Sequence, residues 1–385
     1  MPNSVLLPTS GGGGLQGPTL VFSFVGWGLF CASSWTWCIG MYLPIIMIRH
    51  FGWPGFLVFA IPNVLGCAGF GYACSRQNSE QLCREHSPAM VAFSAITIAY
   101  QVFFIAWLAS LTIGETTLPR GWMAAGAALV IGIVLSLGRG AFWPALGCAT
   151  TIASLSLWFV VPFEQLKAVP LDGALGLMAL AYTAPIVVFG FLLNPWLDRT
   201  FHRARQSTPS VHAFGVFAIA FGLIILLTAA YSQDPITILA PVVVAHIAVQ
   251  ATFTIAAHAR ELRLAPWPIG QRARQAVILA PALLGALAAD LPFQLESIYL
   301  IFLGFYALAF PAYVILFMRR TGSTIRAWPN RRTSVVLATV LVAALAPFAA
   351  IGFIAEKTWL LPVPVVILVV AAFLAPRALK PSTDR

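Results

Sequence analysis

The stretch Ala32-Ser-Ser-Trp-Thr-Trp-Cys-Ile-Gly-Met-Tyr-Leu-Pro44 lies inside the first apolar run of the chain, residues 19–48. A helix that crosses a membrane needs about 20 apolar residues. This run is longer, and its middle carries the polar residues Ser33, Ser34 and Thr36. A helix broken at mid-membrane depth leaves backbone amides and carbonyls unpaired, which is tolerated only where they line a cavity or bind a ligand. The stretch therefore predicts a broken helix at a binding site; the alternative is a kinked helix whose serines bond to their own backbone carbonyls.

The whole chain has the composition of a membrane protein. Its 385 residues are 60% hydrophobic, with only 22 basic and 12 acidic side chains, which excludes a soluble globular protein. No polar stretch between the apolar runs is long enough to form a separate soluble domain. Apolar runs bounded by charge, proline or glycine predict twelve spans, which we number in chain order: 19–48, 54–74, 88–111, 121–138, 141–162, 173–194, 212–231, 236–258, 273–290, 296–318, 332–353 and 359–376.

The basic residues are distributed unevenly between the two ends of these spans. Loops after even-numbered spans, together with the C-terminal tail, hold 18 of the 22 basic residues and only five of the 12 acidic ones. Loops rich in Lys and Arg stay on the cytoplasmic side of a membrane. This side, which we name the basic side, is therefore predicted to be cytoplasmic, with both termini on it. The arginines then anchor the protein in the lipid bilayer, so the basic composition does not indicate a nucleic-acid partner.

The sixth span, residues 173–194, has an interruption comparable to that of the first. The residues of this interruption are Tyr182, Thr183, Pro185, Gly190, Asn194 and Pro195, and the two spans correspond if spans one to five and six to ten are two repeats. Paired interruptions of this kind point to the binding site of an inverted-repeat transporter. The alternative is that proline and glycine are simply common in membrane helices. The predicted substrate site contains Ser33, Ser34, Thr36, Tyr182 and Thr183.

The eighth span carries polar side chains on one helix face. His246, Gln250 and Thr254 follow one another at steps of four, which keeps them on the same side of a helix. Gln101 lies on a similar polar face of the third span. Such side chains either line a cavity or form hydrogen bonds between helices. We predict that Gln101, His246 and Gln250 lie near the substrate.

The loops carry no motif of known chemistry. The sequence has no phosphate-binding glycine loop, nucleophile elbow or run of metal ligands, so nothing indicates an enzyme or a catalytic residue. The six cysteines lie mostly inside apolar runs and are interpreted as small apolar residues. All acidic residues fall in loops or at span ends, which disfavours a proton relay built on a buried carboxylate. Hydroxyls and backbone carbonyls would then have to hold any coupling ion.

Two stretches resemble the sodium/solute symporter family. Residues 32–44, running on to Phe51-Gly-Trp-Pro-Gly55 and Pro62-Asn-Val-Leu-Gly66, are similar to the first core helix of that family and the turn into the second. Residues 296–306 and 310–313 are a fainter match, and together the stretches cover less than a quarter of the chain. The resemblance implies a leucine-transporter-type fold, with five plus five helices in an inverted repeat and with substrate and sodium near the bilayer centre.

The same resemblance implies a sodium site. Family members place a small residue on the eighth core helix and two adjacent residues, usually with hydroxyls, three and four positions later. The matching positions are Ala248, Ala251 and Thr252, which keep one hydroxyl and lose the other. Sodium is thus the candidate coupling ion, held by backbone carbonyls near Ala32 and Trp35 and by the hydroxyl of Thr252.

These observations predict one all-helical membrane bundle that acts as a secondary active transporter, a symporter of a small organic solute, by alternating access in a bacterial inner (plasma) membrane. The alternative is a transporter-like protein that moves nothing and acts as a membrane sensor or an assembly subunit. The predicted divisions are a disordered tail at 1–17, a transmembrane bundle at 18–376 made of repeat one (18–162), repeat two (173–318) and two peripheral helices (332–376), and a cytoplasmic tail at 377–385.

Overall fold

The computed structural model describes residues 17–113, 118–232, 240–265, 271–289, 294–318 and 331–374, and within them every regular element is a helix. The first half forms α1 (Gly17–Trp35), α2 (Cys38–Ile61), α3 (Cys67–Ala73), α4 (Arg76–Glu85), α5 (Ser87–Ile113), α6 (Leu118–Ser136) and α7 (Phe142–Leu155). The second half forms α8 (Gly176–Leu193), α9 (Arg199–Ser207), α10 (His212–Tyr231), α11 (Pro241–Leu264), α12 (Gln271–Ala288), α13 (Leu295–Gly304), α14 (Phe310–Phe317), α15 (Arg331–Ile354) and α16 (Pro362–Leu374). Short π turns lie at Pro62–Gly66 and Phe305–Ala309, and 3₁₀ turns at Ser156–Phe159, Phe163–Ala168, Asn194–Trp196 and Thr358–Leu360.

Each of the twelve predicted spans contains a helix in the described part of the chain. Eight helices there are long and apolar enough to cross a membrane, and the one at Cys38–Ala73 runs through two predicted spans. Three shorter apolar helices lie at Gly121–Ser136, Gln275–Ala288 and Thr358–Leu374. The prediction of an all-helical membrane protein of about twelve helices is confirmed. Apart from Gly17, the predicted tails at 1–17 and 377–385 lie outside the described residues.

Gly52 separates the first span from the second. Its backbone has φ 63° and ψ −151°, a left-handed conformation that residues with a side chain rarely adopt. The next residue, Trp53, donates its amide to the Pro170 carbonyl at 2.8 Å, so the chain bends where it meets the loop before α8. A Cβ atom at Gly52 would lie 2.6 Å from the same Pro170 oxygen. Only glycine therefore fits this bend without a shift of the backbone.

The first span is broken, as its sequence predicts. α1 ends at Trp35 and α2 begins at Cys38, with Trp37 in an extended conformation (φ −86°, ψ 174°). The Trp37 amide donates to the Trp35 carbonyl at 2.8 Å instead of to the residue four positions earlier. Because the first amides of a helix have no partner within that helix, the start of α2 presents free donors inside the bundle.

The sixth span is interrupted at the last two of the residues predicted for it, Asn194 and Pro195. α8 continues as a regular helix through Tyr182, Thr183 and Pro185. A single proline removes one backbone hydrogen bond, and a membrane helix tolerates this loss when its neighbours cover the freed carbonyl. The regular helix ends instead at Leu193, where a 3₁₀ turn with a second proline leads through the extended residue Asp198 into α9. We name the segment from Asn194 to Asp198 the α8–α9 corner.

The broken first span lies in the middle of the bundle. α1 packs against α7, α9, α10 and α11, whereas α2 packs against α8 and α10. α5 packs against α6, α11 and α12 on another side of this centre. The break between α1 and α2 is therefore enclosed by helices of both predicted repeats.

Candidate functional site

The break in the first span lies beside the α8–α9 corner. Ser34 Oγ lies 3.1 Å from Thr200 Oγ1, and the rings of Trp35 and Phe201 meet edge to face with centroids 4.9 Å apart. Thr200 and Phe201 belong to the first turn of α9. The two irregular segments of the chain are thus neighbours in the interior, although they are about 160 residues apart in sequence.

A small cavity lies at this junction, and we name it the central cavity. Its volume is about 10 Å³, and it is lined by Trp35, Trp37, Ile39, Gly40, Asn63, Phe191, Asn194 and Tyr306. Trp35 Nε1 donates to Asn63 Oδ1 at 2.7 Å, and Asn194 Nδ2 donates to the Tyr306 carbonyl at 2.8 Å. The buried Asn194 Oδ1 has no hydrogen-bond partner among the described residues. The lining combines aromatic faces with two amide groups.

Trp37 is the centre of an aromatic cluster that closes one wall of the central cavity. Its ring lies 5.3 Å from Phe93, 5.2 Å from Tyr306 and 5.5 Å from His258, measured between centroids. The Tyr306 hydroxyl lies 2.8 Å from Thr97 Oγ1, which fixes this ring against α5. Helices from both halves of the chain therefore hold the residue at the break.

Two further cavities lead from the central cavity toward the side opposite the basic side. The intermediate cavity has a volume of about 20 Å³ and shares Ile39, Phe191, Asn194 and Tyr306 with the central one. The outer vestibule has a volume of about 140 Å³. It shares Leu43 and Phe353 with the intermediate cavity. The three cavities therefore form a row along α2, from its outer end to the break.

Charged and polar side chains surround the outer vestibule. Glu296 forms an ion pair with Arg49, and the Tyr42 hydroxyl donates to Glu296 Oε2 at 3.0 Å. His50 Nε2 lies 4.0 Å from a carboxylate oxygen of Glu356. These contacts tie the outer end of α2 to α13 and to the turn after α15. The mouth of the row of cavities therefore carries charged side chains, whereas the described lining of its inner part has only uncharged ones.

The basic side of the bundle is closed by a buried ion cluster. Glu261 on α11, which is only 1% exposed, accepts two hydrogen bonds of 3.0 Å from Arg203 and one of 3.0 Å from Arg260. Arg199 Nε lies 3.8 Å from the same carboxylate. The proximity of Glu261 raises the pKa of Arg203 above its ordinary value. The cluster joins α9 to α11 between the central cavity and the basic side.

Asp198, in the α8–α9 corner, is a buried carboxylate that the sequence analysis assigned to a loop. It is 0% exposed, and its Oδ1 accepts the Thr200 amide at 2.7 Å, which caps α9. Its Oδ2 has no hydrogen-bond partner among the described residues. Burial raises the pKa of Asp198 to about 7. The sequence correctly places Asp198 between two spans, but it does not reveal that this segment is buried, because α9 packs against α1 and α11.

The three predicted site residues of the first span all bond to protein groups. Ser33 Oγ lies 2.8 Å from Thr151 Oγ1 on α7, and Ser34 Oγ contacts Thr200. Thr36 Oγ1 donates to the Ala32 carbonyl at 2.7 Å. None of the three lines the central, intermediate or outer cavity. Their hydroxyls hold the break in place, and their contact with a substrate stays a prediction.

The predicted residues of the sixth and third spans lie in different surroundings. Tyr182 is 39% exposed on the outer surface of α8. Thr183 lines the outer vestibule, and its hydroxyl donates to the Ala179 carbonyl at 2.8 Å. Gln101 is fully buried, and neither side-chain amide atom has a partner among the described residues. Thr183 is thus the one predicted substrate residue that lines the row of cavities.

The polar stripe of the eighth span faces protein, as predicted. On α11, His246 Nδ1 lies 3.0 Å from Ser154 Oγ, and Gln250 Nε2 donates to the same oxygen at 2.6 Å. One turn further, the buried Thr254 hydroxyl has no partner among the described residues. His258, at the end of the stripe, bonds to Ser94 on α5 at 3.1 Å. The stripe joins α11 to α7 and α5 and reaches the break through His258 alone.

The three groups predicted to hold sodium each bond within their own segment. The Ala32 carbonyl accepts from the Thr36 amide and hydroxyl, and the Trp35 carbonyl accepts from the Trp37 amide. Thr252 is half-buried, and its hydroxyl donates to the Ala248 carbonyl at 2.7 Å. In the part of the chain that the structure describes, no group of three or more His, Cys, Asp or Glu residues could hold a metal ion.

The amides and aromatic rings that line the central cavity were largely missed as site residues. Asn63 is interpreted from the sequence as part of a packing surface, because it lies among small residues in the second span. Asn194, beside Pro195, is interpreted from the sequence as part of the interruption of the sixth span but not as a substrate residue. Each of these residues is a polar amide next to a proline in an apolar run, and this pattern could have indicated that both line a cavity.

Two solved structures are similar to this chain over most of its length. One similar structure is Mhp1, a nucleobase-cation-symport-1 family transporter, in a closed conformation with bromovinylhydantoin bound. It has a TM-score of 0.52 and 14% sequence identity, over 91% of each chain. The inward-facing conformation of Mhp1 gives a TM-score of 0.49 and 14% identity, over 91% of this chain and 90% of the other. No family model and no curated protein matches the chain.

The fold of this chain is therefore that of a membrane transporter. It agrees with the leucine-transporter-type fold that the sequence resemblance implied. The similarity to Mhp1 does not extend that resemblance to the sodium/solute symporter family in particular.

Proposed function

We propose that the protein is a secondary active transporter that moves a small organic solute by alternating access. The observation that carries this proposal is the row of three cavities along α2, which ends where two irregular segments meet. Irregular backbone at membrane depth is expected at the substrate site of such transporters. The ion cluster around Glu261 closes the route toward the basic side.

The lining of the central cavity favours a solute without net charge. Trp35, Trp37 and Tyr306 offer flat aromatic faces, and Asn63 and Asn194 offer amide groups. No charged side chain lines the central or the intermediate cavity among the described residues. Placing an ion there would leave its charge unpaired in an apolar interior, which is costly. A small planar molecule with amide-like edges fits these groups, and the bromovinylhydantoin bound to Mhp1 supports this class of solute.

The cavities correspond to a state that is closed around the site and open at the outer vestibule. A cavity of about 10 Å³ accommodates roughly one water molecule. Binding of a solute therefore requires the aromatic cluster around Trp37 to move. Alternating access then consists of opening the wall formed by Leu43 and Phe353 on one side, and of breaking the Glu261 cluster on the other.

The same proposal includes the orientation in the membrane, the kind of membrane and the residues that contact the solute. The basic side is cytoplasmic, both termini lie on it, and the membrane is a bacterial inner membrane. The substrate residues predicted from the sequence contact the solute after a rearrangement of the break, and a cation couples transport, with sodium at the predicted ligands as one candidate. The alternative, a transporter-like sensor or assembly subunit, is favoured by one observation, the near absence of space in the central cavity.

Counterflow in proteoliposomes distinguishes the two candidates. Purified protein is reconstituted, loaded with one unlabelled solute at a time, and exposed to the same radiolabelled solute from a panel of neutral cyclic amides, hydantoins included. A transporter exchanges at least one of them without any ion gradient. A sensor binds a solute, and so raises the unfolding temperature, but it exchanges none.

A charge-insertion variant tests the location of the site. Asn63→Asp keeps an oxygen that accepts the Trp35 indole and adds a negative charge to the central cavity. It should abolish counterflow of neutral solutes. The matched control is Asn78→Asp on the exposed face of α4, which should leave counterflow unchanged. Equal rates in both variants would move the site away from the central cavity.

A further inference from the structure

The α8–α9 corner buries a carboxylate at the junction with the broken first span. Asp198 is completely enclosed, and one of its oxygens has no hydrogen-bond partner among the described residues. A buried carboxylate is costly as an anion unless it is paired with a cation or fully hydrogen-bonded. The hydrogen bonds to its carboxylate come from Thr200 alone, and the second oxygen stays without a partner among the described residues.

The nearby basic side chains are directed to a different carboxylate. Arg199, Arg203 and Arg260 all lie within ion-pair distance of Glu261. No Lys, Arg or His within the described residues forms an ion pair with Asp198. Arg199 and Arg203 of α9 are therefore paired with Glu261 and not with Asp198.

His202, one turn after Asp198, does not supply a positive charge either. Its Nε2 donates to the Trp196 carbonyl at 2.9 Å, and its Nδ1 lies 2.9 Å from the Ser79 hydroxyl. A neutral imidazole satisfies both contacts, with Nδ1 as an acceptor. Burial lowers the pKa of His202 to about 4, so the ring is neutral at physiological pH.

The remaining titratable groups near Asp198 carry no positive charge. Those within electrostatic reach are Cys31 on α1, Cys67 on α3, Tyr306 in the π turn before α14 and Glu261 on α11. Thiols and phenols are neutral near pH 7, and Glu261 is negative. Burial, the largest influence, and the nearby Glu261 raise the pKa of Asp198, although the hydrogen bonds from Thr200 lower it, so the neutral form gains overall.

A short chain of contacts connects Asp198 to the candidate solute site. Its Oδ1 holds the Thr200 amide, the Thr200 hydroxyl contacts Ser34, and Ser34 immediately precedes Trp35 in the central cavity. Charging or discharging Asp198 changes the free energy of keeping the corner buried. The protonation state of Asp198 therefore affects the stability of the contacts that join the break in the first span to α9.

We propose that Asp198 is a proton-binding site that couples transport to the proton gradient. The step is one proton added to the carboxylate to give the neutral acid, and its release to give the carboxylate back, with no other reactant. The neutral form allows the corner to stay buried beside the break, and the charged form favours its opening to water. A pKa of about 7 lets both forms be populated under physiological conditions. This proposal rests on the proposed transport function and replaces sodium with a proton as the coupling ion.

Infrared titration of the reconstituted protein tests the proton site without any solute. Between pH 5 and pH 9 the wild type should lose a carbonyl band of a protonated carboxylic acid. Asp198→Asn keeps the acceptor for the Thr200 amide and should lack this band. The exposed-loop control Asp172→Asn should keep it. If Asp198→Asn does not fold, Asp198→Glu should keep the band at a shifted frequency. A wild-type spectrum without such a band overturns the proposal.

Transport measurements on the wild type then test the coupling. A solute identified by counterflow is offered under an inward proton gradient of one pH unit, with and without sodium. One proton per solute should support about tenfold accumulation, with acidification of the lumen, and Asp198→Asn should accumulate none. Accumulation that requires sodium and ignores the pH gradient overturns the coupling. If no solute shows counterflow, the transport function fails, and the infrared titration still decides whether Asp198 binds a proton.

Discussion

Ser34 Oγ, one residue before the end of α1, lies 3.1 Å from Thr200 Oγ1 in the first turn of α9. This contact is fully buried and joins the broken first span to the α8–α9 corner. Ser34 Oγ also contacts the Cys31 carbonyl at 3.2 Å within α1, so the contact with Thr200 is the one that reaches another helix. The pair therefore fixes the position of the end of α1 relative to the first turn of α9.

The first prediction is that Ser34 and Thr200 are energetically coupled. Ser34→Ala and Thr200→Val should each destabilise the protein by about 1 kcal/mol, the usual cost of one buried hydrogen bond. The double variant should cost less than the sum of the two, because the second change removes a group that has already lost its partner. Thr200→Ser keeps the hydroxyl and should behave like the wild type. Strict additivity in denaturant unfolding would show that the contact contributes nothing.

A second prediction concerns the ion cluster on the basic side. Glu261→Gln keeps the shape of the side chain but leaves Arg199, Arg203 and Arg260 without their shared counter-charge. Removing one partner of a buried ion pair is strongly destabilising, so we expect a loss of about 3 kcal/mol. Thermal unfolding in detergent measures it.

The exposed pair of Arg76 and Glu80 is the matched control for this cluster. Its atoms lie 3.3 Å apart on one face of α4, and both side chains are largely exposed. Exposed pairs of this kind contribute less than about 0.5 kcal/mol. Glu80→Gln should therefore leave the unfolding temperature unchanged. A loss as large as that of Glu261→Gln would mean that burial is not the cause.

The third prediction is a pH dependence of stability with a defined sign. The pKa of Asp198 is raised from 3.8 to about 7, so its contribution to stability is full below about pH 4 and is lost as the pH rises through 7. The pKa of His202 is lowered from 6.5 to about 4, so its contribution is full above pH 6.5 and is lost as the pH falls through 4. In the wild type, between about pH 4 and 6.5, a rise in pH lowers the stability through Asp198 and raises it through His202, so the two effects offset each other.

Asp198→Asn separates these two contributions. The variant should be more stable than the wild type at pH 8, and the difference should shrink by up to about 1.4 kcal/mol per pH unit as the pH falls from 7 toward 4. The variant alone should lose stability on acidification, through His202. Unfolding temperatures of the wild type and the variant, measured across this pH range, show whether the stability difference shrinks or grows on acidification. A difference that does not vary with pH would mean that Asp198 does not titrate in the folded protein.

The sequence predicts the helical class and the break correctly because both follow from local patterns. Apolar runs long enough to span a bilayer dictate helices, since no other open structure pairs its backbone in lipid. The polar stretch at Ser33 to Thr36 indicates where the first helix breaks. The corner after α8 follows no such pattern. The composition of this segment, with Arg199, Arg203 and Arg205, is typical of a surface loop. Only the contacts of these arginines with Glu261 and with the end of α3 show that α9 is folded inward.

The site residues are harder to predict, because side-chain direction is set by tertiary packing. Ser33 and Ser34 are polar and lie at the right depth, but they bond to α7 and α9. Trp37, an aromatic residue that was not among the predicted substrate residues, lines the central cavity instead. Steps of four correctly place His246 and Gln250 on one face of α11, but they do not say that this face meets Ser154 on α7.

A fourth prediction concerns the topology. Ser207→Cys at the end of α9 and Ala168→Cys in the 3₁₀ turn before α8 are both at exposed positions, on opposite sides of the predicted membrane. Each is introduced after Cys83 and Cys148, the two half-buried native cysteines, are changed to alanine. In intact cells, a membrane-impermeant thiol reagent should label Ala168→Cys and not Ser207→Cys. The opposite result would invert the orientation derived from the basic side.

The last prediction concerns Phe353, whose ring separates the outer vestibule from the intermediate cavity. Phe353→Ala should join the two cavities and let water and small reagents pass toward the break. The reporter is Ile186→Cys, at a fully buried position in the wall of the intermediate cavity. Its reaction with a water-soluble thiol reagent should become about tenfold faster, which corresponds to ~1.4 kcal/mol off the free energy of local opening. Phe159→Ala, at a position 93% exposed in the turn after α7, should leave the rate unchanged. An unchanged rate in Phe353→Ala, with the unfolding temperature preserved, would mean that the solute does not enter the row of cavities past this residue.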